Sequence, residues 1–199
     1  MSTNRLESFS DGVLAVAITL LVLDITVPDT AHLGRALLHQ WTHYAAYVVS
    51  FVTIGIIWIN HHAMISRLRE ADHAILMLNI ALLLTIGLIP FATALFAAYL
   101  NKGTGDHVAA AVYAGVFLAM AIAFATLNRH ILLRKAHLMN VELSLAHRHR
   151  ILSRSVIGLL PYLLATVLAA VSPYLTLAIT GGLAAYYALP IAAGVGVDD

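Results

Sequence analysis

The chain has 199 residues, 61% of them apolar and 11% charged, with a mean hydropathy of +0.88, so it lacks the roughly one-quarter of charged residues with which a water-soluble domain covers its exterior. Eleven Lys and Arg against ten Asp and Glu leave a formal charge of +1, which argues against the concentrated basic excess that nucleic acid requires. The absence of cysteine removes disulfides, thiolate catalysis and thiolate metal sites, and the length reads as one domain over residues 1–199.

A helix needs about 20 mostly apolar residues to cross ~30 Å of hydrocarbon. Six segments qualify, running roughly from Phe9 to Pro28, Thr42 to Ser66, Ala74 to Leu100, His107 to Asn128, Ile151 to Val171 and Tyr174 to Val195. The predicted fold class is therefore all-α, a unit of six transmembrane helices. Pro28 and Asp29 end the first segment, the charged stretch from Arg67 to Asp72 separates the second from the third, and the polar turn from Asn101 to Asp106 precedes the fourth. Between the fifth and sixth stands only Ser172-Pro173, which makes either a tight hairpin or one long kinked element.

Sorting Lys and Arg by loop places Arg5, Arg67, Arg69, Arg129, Arg134, Lys135, Arg148, Arg150 and Arg154 on one side, and Arg35 and Lys102 on the other. Nine against two predicts a cell-membrane protein with both termini cytoplasmic. The first apolar run carries Asp11 and Asp24 and shows no clear small-residue cleavage site, so it reads as a retained helix rather than a signal peptide. The long connection from Arg129 to Arg150 mixes cations with apolar residues. It suits a helix lying among anionic headgroups or a plain extension of the fourth helix.

The first helix holds the unusual chemistry. An intramembrane carboxylate is costly and marks a functional or network residue, and Asp11 follows Ser10 where the chain enters the membrane. At 100° per residue, Phe9, Val13, Val16, Leu20, Leu23 and Val27 fall within about 80° of one another and form an apolar stripe. Gly12, Thr19 and Thr26 follow its edge, while Ser10 and Asp11 point away. Near the same membrane depth, Trp58, His61 and His62 share a face of the second helix through i, i+3 and i+4 spacing. A hydrogen-bonded network of Arg5, Ser10 and Asp11 with Trp58 or a histidine either locks the two helices together or takes part in gating as well.

Eleven histidines invite a metal, yet adjacent His61 and His62 diverge on a helix and five others sit in or beside loops, so no metal site is expected. The motifs of zinc proteases, serine hydrolases and nucleotide loops are missing, so no enzyme is expected either. The carbonyl filter Thr-Val-Gly-Tyr-Gly of ordinary potassium channels is missing too.

Arg5-x-x-x-Phe9-Ser10-Asp11, continuing through Gly12-Val13-Leu14-Ala15-Val16 to Thr19-Leu20-Leu21-Val22-Leu23-Asp24-Ile25, closely resembles the signature first helix of the endolysosomal potassium channel family (transmembrane protein 175 type), in its shorter prokaryotic form. Trp58, His61 and His62, and Leu88-Ile89-Pro90-Phe91, are similar to the family as well. The resemblance implies a homotetramer in a lipid membrane, its first helices surrounding a central pore permeable to potassium ions, without a cofactor. It implies hydrophobic gating layers at Val16, Leu20 and Leu23, a selectivity layer of hydroxyls at Thr19, and a supporting network of Arg5, Phe9, Ser10, Asp11, Trp58, His61 and His62. Val16 departs from the Ile or Leu typical of the narrowest layer. Asp24, at the far end of the helix, either raises cation concentration at a pore mouth or anchors the helix end. The alternative function is a proton- or metal-coupled secondary transporter using Asp11, Asp24 and histidines as relays.

Overall fold

In the computed structural model, which describes residues 3–188, the apolar runs fold into nine α-helices among the described residues. Five segments are long and apolar enough to cross a membrane: Thr3–Asp24, Trp41–Ile65, His73–Tyr99, Asp106–Arg134 and Leu145–Leu168. The sixth expected span is represented by a helix over Pro173–Ala188; its remainder, residues 189–195, lies outside the described residues.

Helix α1 (Thr3–Leu20) tightens into a 3-10 turn over Leu21–Asp24. It begins earlier than the apolar run suggested, and it stops at Asp24 rather than Pro28. Ile25 is already extended, with φ −83° and ψ 98°, and a residue preceding proline is driven from helical backbone, so Val27 cannot continue the stripe. A short helix that hydropathy did not reveal, α2 (Leu33–His39), then reverses the chain into α3 (Trp41–Ile65).

Two of the expected continuous spans are broken. The third divides at Leu88 into α4 (His73–Gly87) and α5 (Ile89–Tyr99). Pro90 has no N–H for the carbonyl four residues back, and its ring crowds that carbonyl. After α6 (Asp106–Arg129), the fifth divides at Gly158 into α7 (Leu145–Ile157) and α8 (Leu159–Leu168), with Pro161 standing four residues after Ile157. Helix α9 (Pro173–Ala188) returns along α8, and the Thr176 hydroxyl donates to the Ala165 carbonyl at 3.2 Å. The Ser172-Pro173 junction is thus a hairpin.

Helix α6 is the central element, packing on α4, α5 and α8. Its Tyr113 stacks on Phe96 with ring centres 4.6 Å apart and meets Phe117 edge-on at 4.8 Å, while Phe117 stacks on Tyr162 at 5.8 Å. Such pairs contribute about 0.5–1.5 kcal/mol each beyond simple burial. The Tyr113 hydroxyl bonds Ser50 at 3.2 Å, and Ser50 bonds Thr93 at 2.8 Å, so these polar atoms are satisfied where hydrocarbon offers no partner.

At the arginine-rich end, α6 continues through a π-helical turn, His130–Arg134, and a 3-10 turn, Ala136–Leu138. The long connection then docks onto the turn between α3 and α4. The Arg69 N–H donates to the Leu138 carbonyl at 2.8 Å, and the Asn140 N–H to the Arg67 carbonyl at 2.9 Å. Beside this bridge, Lys135 pairs with Asp72 at 2.8 Å, and Asp72 also caps α4 by accepting from the Ile75 N–H at 2.9 Å. The connection therefore extends the helix briefly to Arg134, as one of the two readings expected, and then latches onto its neighbour, which neither contained.

The Lys135 hydrogen bond, then the Ile75 N–H, hold the Asp72 carboxyl below its ordinary value. A depressed carboxyl pKa gives stability that is fully present above the unfolded value of about 3.9 and is lost as pH falls through the lower folded value. We expect the Arg69 and Asn140 amides to keep their hydrogen-exchange protection from pH 7 to about 5. Asp72→Asn, which keeps a capping oxygen but loses the ion pair, should speed exchange at both amides at pH 7; unaltered protection would remove the ion pair from the latch.

Candidate functional site

Along α1 the buried side chains are Leu6, Ser10, Leu14 and Ala17, followed by Leu21 in the 3-10 turn. Their spacing of three or four residues makes one inward face. Lipid is as apolar as leucine, so burial alone does not hold this face against the bundle; close packing and hydrogen bonds do.

Those bonds cluster at the first half of the helix. The Ser10 hydroxyl donates to the Leu6 carbonyl at 2.9 Å and accepts from Asn79 Nδ2 at 3.0 Å. Asn79 Oδ1 in turn accepts from His61 Nε2 at 2.8 Å. Ser10, Asn79 and His61 are all buried, so α1, α4 and α3 meet in one chain of hydrogen bonds. Next to it, Trp58 Nε1 donates to Asp11 Oδ1 at 2.9 Å, and His62 Nδ1 bonds the Glu7 carboxylate. The two adjacent histidines have diverged, one to a buried amide and the other to an exposed edge.

Arg5 and Phe9 stand apart from this cluster. Both are exposed, and among the described residues Arg5 makes no hydrogen bond or ion pair. At the other end of α1, Asp24 Oδ2 bonds His43 Nδ1 at 2.8 Å, which ties the 3-10 turn to the first turn of α3. The loop after it is held by Gln40 Nε2 donating to the Thr26 carbonyl at 3.1 Å. Asp24 therefore has a partner on a neighbouring helix.

The opposite face of α1 is largely uncovered by the described residues. Val16 is 56% exposed, Leu20 45% and Leu23 71%, and a groove of about 510 Å³ runs along Phe9, Gly12, Val16 and Leu20 to Gly87 at the α4–α5 break. Val13 is half-buried against the core, so it sits at the edge of this face. The Thr19 hydroxyl donates to the Val16 carbonyl at 2.9 Å, leaving its lone pairs outward. A Cβ on Gly12 would meet nothing within 4 Å, so nothing among the described residues requires glycine there.

Sequence reasoning missed Asn79, Glu7 and His43. Asn79 carried a signal, since one amide inside an apolar run asks for a partner; the other two depend on helix register and on the α2 reversal.

Comparison with known proteins places the chain among relatives. A family model described as endosomal/lysosomal potassium channel TMEM175 matches residues 5–90. A potassium channel of Streptomyces collinus is 47% identical over 175 residues, 85% of this chain and 84% of that protein. One of Chamaesiphon minutus is 47% identical over 133 residues, covering 64% and 65%. The crystal structure of a lysosomal potassium-selective channel TMEM175 homolog from Chamaesiphon minutus superposes with a TM-score of 0.83 at 39% identity, covering 94% of this chain and 96% of that one.

Removing Asn79 leaves both a buried imidazole N–H and a buried hydroxyl short of a partner, at about 1–3 kcal/mol for each group. Asn79→Ala should therefore lower the thermal midpoint in detergent well below that of Trp58→Phe, which loses one bond at a half-exposed site worth about 1 kcal/mol. The reverse order would show that Asp11, rather than Asn79, is the hub.

Proposed function

This chain belongs to the TMEM175 family, and from that premise we propose that it is a potassium channel of the cell membrane. In this reading six spans per chain, with both termini cytoplasmic, assemble as a homotetramer whose α1 helices surround the ion path. The carrying observation is the two-sided character of α1, bonded along one face and bare along the other. An exposed helix face can meet lipid or another copy. Gly12 favours another copy, because small residues let helices approach closely and no contact among the described residues accounts for this one.

On the bare face, Val16, Leu20 and Leu23 supply apolar layers that hold a narrow pore dry, and dewetting stops ions. Thr19 supplies the one hydroxyl layer among them. Ser10, Asp11, Trp58, His61 and His62 hold the helix in place rather than touching the ion. Arg5 and Phe9, exposed in the single chain, act at contacts between copies. Asp24 adds negative charge at the outer mouth, moderated by its bond to His43.

Protein reconstituted in liposomes should pass potassium down its gradient at channel rates without obligatory proton exchange; strictly coupled exchange would make it a transporter instead. Val16→Asn should raise the basal leak most, with Leu20→Asn second, and a leak unchanged by all three asparagine substitutions, including Leu23→Asn, would refute the apolar gate.

Assembly and selectivity have separate readouts. Cysteine in place of Leu20 should crosslink between copies, whereas cysteine in place of buried Leu21 should not; crosslinking at Leu21 alone would turn the helix around. Thr19→Val should shift reversal potentials under opposed potassium and sodium gradients toward non-selectivity, and an unaltered potential would remove Thr19 from that role.

A further inference from the structure

The two basic residues that the charge count sets apart from the arginine-rich end, Arg35 and Lys102, line a single pocket of about 750 Å³. It is an open concavity bordered by α2, the first turn of α3 and the end of α5. His32, His39 and His43 share its wall, and no Asp or Glu does. Among the described residues neither Arg35 nor Lys102 makes an ion pair. Lys102 rests 4.4 Å from the centre of the Tyr99 ring, a contact that steadies the ammonium without neutralising it. Asn101 completes the set: its side-chain oxygen accepts from the Tyr174 hydroxyl at 2.7 Å, which leaves its amide N–H groups to donate. His43 is engaged with Asp24 through Nδ1, and a neutral ring then presents Nε2 as an acceptor, so the imidazole donors of the wall are His32 and His39.

The wall itself carries no carboxylate, and Asp24 reaches it only through His43. Guanidinium, ammonium, imidazole and amide N–H groups around one concavity match the oxygens of a phosphate, for which charge-assisted bonds are about twice as strong as neutral ones. A metal fits poorly, since among the described residues no three His, Asp or Glu side chains converge on one point. We propose that this pocket binds a phosphate-bearing anion at the face of the membrane opposite the arginine-rich end. Free phosphate and the headgroup of an anionic phospholipid share that chemistry. Through His43 the bound anion stands one side chain away from Asp24, so the site connects to the end of α1.

The test uses the purified full-length protein in detergent, titrated separately with inorganic phosphate and with dioctanoyl phosphatidylglycerol and followed by thermophoresis or native mass spectrometry. Saturable binding of at least one probe is expected. Arg35→Gln and Lys102→Gln should each weaken it about fivefold or more, Arg35→Lys should retain most of it, and Arg134→Gln, at the other end of the bundle, should leave it unchanged. Binding of phosphate alone identifies a soluble ion; binding of phosphatidylglycerol alone identifies a lipid headgroup. Both side chains are exposed, so the single variants should melt like the parent, and they decide the matter if the double variant is not recovered. The proposal is overturned if the parent binds neither probe, or if variants lacking both cations and melting normally bind as the parent does. Because the readout is binding rather than ion flux, it stands or falls separately from the channel reading.

Discussion

A polar side chain at membrane depth has no water to fall back on, and that constraint organises the arginine-rich half of this molecule. Asn79 answers it by spending both ends of its amide at once, one on Ser10 of α1 and the other on His61 of α3. Three helices that share little sequence proximity are thereby fixed in mutual rotation. A one-residue slip of α1 would carry Ser10 out of reach by about 100°, so the bond sets which face of α1 is bare as well as which is buried. Trp58 with Asp11, and His62 with Glu7, repeat the linkage to either side of Ser10 along α1.

The other half of the bundle is stabilised differently. There the aromatic column of Phe96, Tyr113, Phe117 and Tyr162 fills space around α6, and the Tyr113 hydroxyl within it is joined to Ser50 and, through it, Thr93. The rotation of α1 is thus set by specific hydrogen bonds, while the body against which it is set is held by shape. The break at Leu88 belongs to both regions. Gly87, released by it, borders the groove on α1, and Ile89 beyond it is fully buried.

Much of this was legible from the residues. Hydropathy and turn punctuation outlined the spans because crossing hydrocarbon demands a length that few other structures do. The 100° period separated Val16, Leu20 and Leu23 from Ser10 and Asp11, because inward and outward faces of one helix differ in what they tolerate. The interruptions at Pro90 and Pro161 were visible as letters, but averaged hydropathy does not register the direction of a helix. Glu7 and His62 are 55 positions apart, and Asp24 reaches His43 only because α2 folds the chain back between them. Arg5 shows the converse: resemblance assigns it to the network, yet among the described residues it makes no hydrogen bond or ion pair.

The tightening of α1 over its last turn has a geometric consequence. In a 3-10 turn three residues complete one revolution, so side chains three apart eclipse one another instead of spiralling. Leu20 caps the turn and Leu23 lies within it, which stacks the two in a single column parallel to the helix axis, separated by ~6 Å at about 2.0 Å per residue. Where an ordinary α-helix would stagger them, this ending gives them a common azimuth. The side chains then form one continuous exposed hydrocarbon wall, taller than either alone, and whatever faces this end of the helix meets a single unbroken apolar strip rather than two staggered contacts.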